Sequence, residues 1–128
     1  MDNVVDLDIL RPDARYVRLG GNDIDVSFIP CAITFELEEV VQEMAKLSQA
    51  DLTNGSGDAA RRGFELAIDL CALFCRKEYP QMTRDWFMAN TDVGQIGTFA
   101  ESIKAALVQS YQGVERYQKN PPKAKAKK

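Results

Sequence analysis

Phe64-Glu65-Leu66-Ala67-Ile68-Asp69-Leu70-Cys71-Ala72-Leu73-Phe74-Cys75 is the stretch on which the fold turns. It is long enough for a helix, and its only polar residues, Glu65 and Asp69, stand four apart and share one narrow face. Nearly the whole circumference of such a helix must be covered by other protein. It therefore belongs at the centre of a core or against a partner surface.

Working outward, Asp58 is read as the cap of this helix and Pro80 as its stop near Tyr79. Thr83 is a second capping candidate, for a short amphipathic segment carrying Trp86, Phe87 and Met88. Asp92 caps a last helix that runs to about Tyr117. Its apolar positions Val93, Ile96, Ala100, Ile103, Leu107, Val114 and Tyr117 keep a seven-residue rhythm, broken at Ser110. Gly94, Gly97 and Gly113 weaken that helix, so packing has to hold it.

Upstream, residues 48–57 are polar and glycine-rich and are expected to form a mobile connector. Before them Leu37, Val40, Val41, Met44 and Leu47 recur at helical spacing, with Thr34 as N-cap and Glu36, Glu38 and Glu39 near the positive end of the helix dipole. Tyr16–Leu19 and Ile24–Phe28 flank Gly20-Gly21-Asn22-Asp23, the pattern of a tight β-hairpin ended by Pro30. Its apolar face, Val17 and Leu19 with Ile24, Val26 and Phe28, is expected to lie on a helix. Val5, Leu7 and Ile9 alternate with Asp6 and Asp8 and read as a short strand. After Asn120, Pro121-Pro122 stops the last helix, and the lysines that follow have no apolar face to bury, so a disordered tail is expected.

The fold class read from this order is α+β, mainly α: a small N-terminal β-hairpin, a bundle of three to four helices and a disordered basic C-terminal tail. Residues 1–118 form one domain and 119–128 the Lys-rich tail. A length of 128 residues with 45% hydrophobic and 27% charged residues is ordinary globular usage, enough for one core without staples. No apolar stretch is long enough to span a bilayer, and the first 20 residues lack a signal-peptide pattern, so a cytoplasmic location is expected. The net charge of -3 divides into a tail of five lysines and a body with 11 basic and 19 acidic residues. That body, at -8, repels phosphates, so any nucleic-acid role would rest on the tail.

Catalytic equipment is sparse. There is no histidine, so acid-base work would fall to carboxylates, thiols, Tyr or Lys. Glu36, Glu39 and Glu43 pair at helical spacing but read as a solvated face. Gly-Gly-Asn-Asp at 20–23 and Asn-Gly-Ser-Gly at 54–57 lack the lysine and hydroxyl of a phosphate loop and read as turns. Cys31, Cys71 and Cys75 read as reduced core thiols, since a disulfide along one helix is strained and a metal site would lack its other ligands. The expectation is a protein-binding domain, not an enzyme, with no cofactor and no metal. Trp86 and Phe87 point about 100° apart on a helix. Either their segment is wedged between other elements, or one of them is an exposed anchor for a partner.

Asn22-Asp23-Ile24-Asp25-Val26-Ser27-Phe28-Ile29-Pro30, then Tyr79-Pro80-Gln81-Met82-Thr83-Arg84-Asp85-Trp86-Phe87 and Val93 to Leu107, fall in an order of elements that includes Arg61-Arg62 leading the apolar helix. Over about three quarters of the chain, this order resembles the tail assembly chaperones of long-tailed bacteriophages and prophages. The resemblance implies a protein of the bacterial host cytoplasm that binds the tape measure protein, keeps it from aggregating, helps recruit tail tube subunits and is absent from the mature virion. It also implies a longer form made by translational frameshifting, with which Lys127-Lys128 is compatible, the tail then serving as a linker. The client grooves are expected along the last helix and beside the Trp86 segment, and the candidate partner contacts are Trp86 and Phe87, Ile96, Ile103 and Leu107 of the last helix, and Lys123, Lys125, Lys127 and Lys128 of the tail. A homo-oligomer is also compatible with the pattern. Two other readings stay open: a structural connector retained in a phage tail or other assembly, and a small regulatory nucleic-acid-binding adaptor using the lysine tail.

Overall fold

A computed structural model describes residues 4–54 and 57–119 of the chain. Gly20 and Gly21, at φ of 59° and 81°, turn the chain between β1 (Tyr16–Leu19) and β2 (Asn22–Asp25), a conformation that favours glycine. The two strands pair antiparallel, with Val17 opposite Ile24 and Leu19 opposite Asn22. That register puts Val17, Leu19 and Ile24 on one face, and the latter two are buried. Val26 and Ile29 continue the buried set, whereas Phe28 departs from the expected face: it is exposed, with the Arg11 guanidinium 3.8 Å from its ring centroid. Ser27 is buried and satisfied locally, its amide and hydroxyl donating to Asp25 Oδ1 at 2.8 and 2.6 Å.

Four helices follow: α1 (Cys31–Asn54), α2 (Gly57–Cys75), α3 (Arg84–Asn90) and α4 (Val93–Lys119). The apolar helix α2 packs against α1, α3 and α4, as its nearly unbroken hydrophobic circumference requires. Ile68, Leu70, Cys71 and Cys75 are fully buried there. They meet Leu37 of α1, Phe87 of α3, and Ile96, Phe99, Ala100, Ile103, Ala106 and Leu107 of α4 in one core. Burying each of the larger side chains removes about 1.5–3 kcal/mol of unfavourable hydration. The polar stripe of α2 is neutralised at its edges, Glu65 by Arg61 and Arg62 and Asp69 by Arg84, the last at 2.6 Å. The aromatic residues lock edge to face, Phe74 against Phe99 and Trp86 against Phe87.

Several boundaries differ from the sequence reading. The expected strand around Leu7 is a 3-10 helix, Leu7–Leu10, because Asp6 caps it by accepting from the Asp8 amide and, among the described residues, no second strand is paired with it. Helix α1 starts directly after Pro30 instead of after Thr34, whose hydroxyl donates back to the Pro30 carbonyl at 3.1 Å. It also continues through the expected connector to Asn54, since Gln49, Ala50 and Leu52 are helix-compatible. Gly57 opens α2, so Asp58 lies inside its first turn, and α2 ends at Cys75, five residues before Pro80. The two later caps stand as expected. Thr83 Oγ1 accepts from the Trp86 amide, and Asp92 and Gln95 exchange amide bonds at 2.9 Å in a capping box. The Lys-rich tail beyond 119 lies outside the described residues.

Candidate functional site

Among the described residues no helix is long and apolar enough to cross a membrane, and no group of three or more Cys, Asp or Glu side chains is placed to hold a metal ion. Every buried side-chain nitrogen and oxygen among them has a hydrogen-bond partner. What the fold offers for function is concave apolar surface and apolar side chains left outside the core.

The first feature is an open groove of about 520 Å³ between β1 and the opening turns of α4. Val17, Leu19 and Phe99 supply its apolar lining, and Gly94, Gln95 and Thr98 supply its α4 wall. Gly94 projects no side chain, so an incoming backbone can approach α4 closely. Arg18 and Asp23 stand on the exposed face of the hairpin, paired at 2.7 Å. That bond holds the Asp23 carboxyl below its usual range and the Arg18 guanidinium above its own.

The second feature is a narrower cleft of about 180 Å³ where the hairpin exit, the first turn of α1 and the end of α2 meet. Ile24, Phe28, Ile33, Phe74 and Tyr79 line it, and Arg11 and Lys77 stand at it as cations. The Tyr79 hydroxyl donates to the Asp23 carbonyl at 3.1 Å, which fixes that wall to the hairpin.

The third feature is the outer surface of α4. Val93, Val108, Tyr111 and Val114 are exposed, although their neighbours Ile96, Ile103 and Leu107 are buried. The Tyr111 hydroxyl is hydrogen-bonded to Glu38 of α1, and this bond, followed by desolvation and the Glu38 charge, raises its pKa above the usual phenol value.

The candidate contact residues read from sequence divide accordingly. Ile96, Ile103, Leu107 and Phe87 lie in the monomer core and offer no surface to a partner in this fold. The seven-residue rhythm identified the side of α4 that faces α2, not the side left free. Trp86 is half-buried, its ring packed so closely on the hairpin turn that a Cβ on Gly20 would lie 3.0 Å from it. The α3 segment is thus wedged between hairpin and core. Lys123, Lys125, Lys127 and Lys128 lie outside the described residues.

Cys71 and Cys75 are buried thiols, whereas Cys31 is exposed at the first position of α1, because that helix begins earlier than the sequence pattern indicated. Burial pushes the Cys75 thiol up to about 12, aided by the Glu78 charge, and raises Cys71 through burial and then Cys75. Neither is a nucleophile at neutral pH.

The exposed aromatic Phe35 was missed in sequence, although its signal is present. It stands two residues from Leu37 and so lies on the opposite side of α1 from the apolar stripe. Phe28 and the cleft it lines had no local signal, since their neighbours come from positions 11, 33, 74 and 79. Compared with known proteins, the chain matches no protein-family model, no curated protein and no solved structure.

Proposed function

We propose that this chain is a non-enzymatic assembly chaperone that holds an amphipathic helix of a larger client, the tape measure protein of a long-tailed phage, and helps recruit tail tube subunits in the host cytoplasm. The observation that carries this reading is the apolar groove between β1 and α4, walled on one side by Gly94 and Thr98. A client helix laid there meets apolar lining at Val17, Leu19 and Phe99, a close approach to the backbone at Gly94 and polar groups at Arg18, Asp92 and Gln95, the combination that helix-in-groove recognition uses. Exposed Val93, Val108, Tyr111 and Val114 add further apolar surface on another side of the same helix. The acidic body, excess carboxylates over basic residues in 1–118, keeps such a protein soluble while its apolar surfaces stay open. The absence of histidine and of any enclosed polar constellation in the groove supports a role in binding over one in catalysis.

Co-expression tests this directly. The soluble yield of the tape measure protein should rise with the wild-type chain and fall back with Thr98→Trp, which fills the groove from an exposed position. Purified tails should lack the chain. Unchanged client yield would overturn the chaperone reading, and a fixed stoichiometry in finished tails would replace it with that of a structural connector.

A further inference from the structure

We propose that this protein pairs with a second copy of itself through a two-fold contact in which Phe35 of each copy enters the cleft beside Ala32 of the other. The contact is separate from the groove between β1 and α4 and stands independently of the client reading. Phe35 is 73% exposed, more than any other large hydrophobic side chain among the described residues, and it projects from the second turn of α1. The cleft is the complementary shape. Its volume of about 180 Å³ and its lining of Ile24, Phe28, Ile33 and Phe74 suit one aromatic ring, since apolar cavities of roughly 150 Å³ accept benzene.

Position makes the contact reciprocal. Ala32, which lines the cleft, and Phe35 are three residues apart and hence neighbours on one side of α1. A two-fold dimer needs a patch that is its own complement, and a protruding ring one turn from a ring-sized recess on the same helix meets that need. Inserting one phenyl ring therefore brings the second ring to the second cleft.

Charge supports the same occupant. Lys77 lines the cleft and Glu39 stands one turn beyond Phe35, both exposed and neither held in an ion pair among the described residues. Their neighbours are already committed: Arg76 to Glu36 at 3.0 Å, and Asp25 to the Ser27 amide and hydroxyl. Glu78 also lines the cleft, so its rim is mixed in sign and a second copy, which brings both signs, fits it better than a uniformly charged partner.

Sedimentation equilibrium of the full chain from micromolar to millimolar concentration provides the test. The mass should rise toward twice 14.3 kDa and stop there, because a two-fold contact closes on itself. Phe35→Ser removes the protruding ring and Ala32→Phe fills the recess, both at exposed positions. Each should weaken association about thirtyfold or more, the effect of losing an interface hot spot, with an unchanged helical circular dichroism spectrum. Lys77→Glu and Glu39→Lys should each weaken the dimer, and the double exchange should restore it. A wild-type chain that stays monomeric at millimolar concentration, a mass that climbs beyond the dimer, or a dimer that survives both Phe35→Ser and Ala32→Phe would overturn the proposal.

Discussion

The two halves of α4 carry similar apolar spacing and meet opposite fates. From Val93 to Leu107 the helix buries Ile96, Phe99, Ala100, Ile103, Ala106 and Leu107 against α2 and α3. From Val108 onward, Tyr111 and Val114 are exposed, and Ser110 at the expected core position turns its hydroxyl back to the Ala106 carbonyl. Periodicity states which side chains share a face of a helix. It does not state whether another element is there to cover that face. Substitutions in the two halves should therefore separate cleanly in stability.

The largest difference is expected at Ile103, which is fully buried. Ile103→Ala leaves a cavity and should lower the unfolding free energy by about 2–5 kcal/mol, a large fraction of a small domain's total, read as a fall in the urea midpoint. A loss below about 1 kcal/mol would mean that α4 is not seated on α2 as described. Next is the pH response of the thiols beneath α4. Cys75 is held neutral by burial, its pKa raised from 9.0 to about 12. An unfolded thiol ionises above 9 while the folded one does not, so folded stability is complete below pH 9 and falls as pH rises toward 12. The slope is about 1.4 kcal/mol per pH unit for one such group in that window. Cys75→Ala should make the alkaline fall shallower and leave the share of buried Cys71, and an unchanged slope would remove the Cys75 thiol as a cause.

How far the architecture could be read from sequence follows the same distinction. The hairpin was legible because Gly20-Gly21 and the alternation of Val17, Leu19 and Ile24 are local signals that agree with one another. The wrapped environment of α2 was legible because twelve residues with two polar positions leave few alternatives. Alternation alone misled at Val5, Leu7 and Ile9, where Asp6 offers its side chain to the Asp8 amide and no neighbouring strand among the described residues competes. Phe99 and Ala106 were overlooked because a strict seven-residue count skips positions that a helix of 3.6 residues per turn brings onto the buried side. A groove along the last helix was expected, but its second wall on β1 was not, and the cleft had no signal at all, since both bring together segments distant in sequence.

The start of α4 offers a smaller contrast. Asp92 and Gln95 satisfy each other's backbone amides, which fixes where the helix begins beside the groove despite Gly94 and Gly97 in its first two turns. Asp92→Ala should cost about 1 kcal/mol by the same denaturant assay. A fall in amide-exchange protection should concentrate in the first turn and spare Ile103, because the buried part of the helix is held by packing.

Val114→Ser should have the smallest effect on stability, within about 0.5 kcal/mol of wild type, since the side chain is 56% exposed and contributes to no core described for one copy. The value of the measurement lies in pairing it with Ile103→Ala on the same helix. If Val114→Ser proves neutral in the isolated chain but reduces the soluble yield of a co-expressed client, the outer half of α4 acts only when a partner covers it. If it destabilises the isolated chain by as much as a core substitution, that half is already covered in solution. The contrast between the two halves would then belong to the assembled state of the protein and not to its folding.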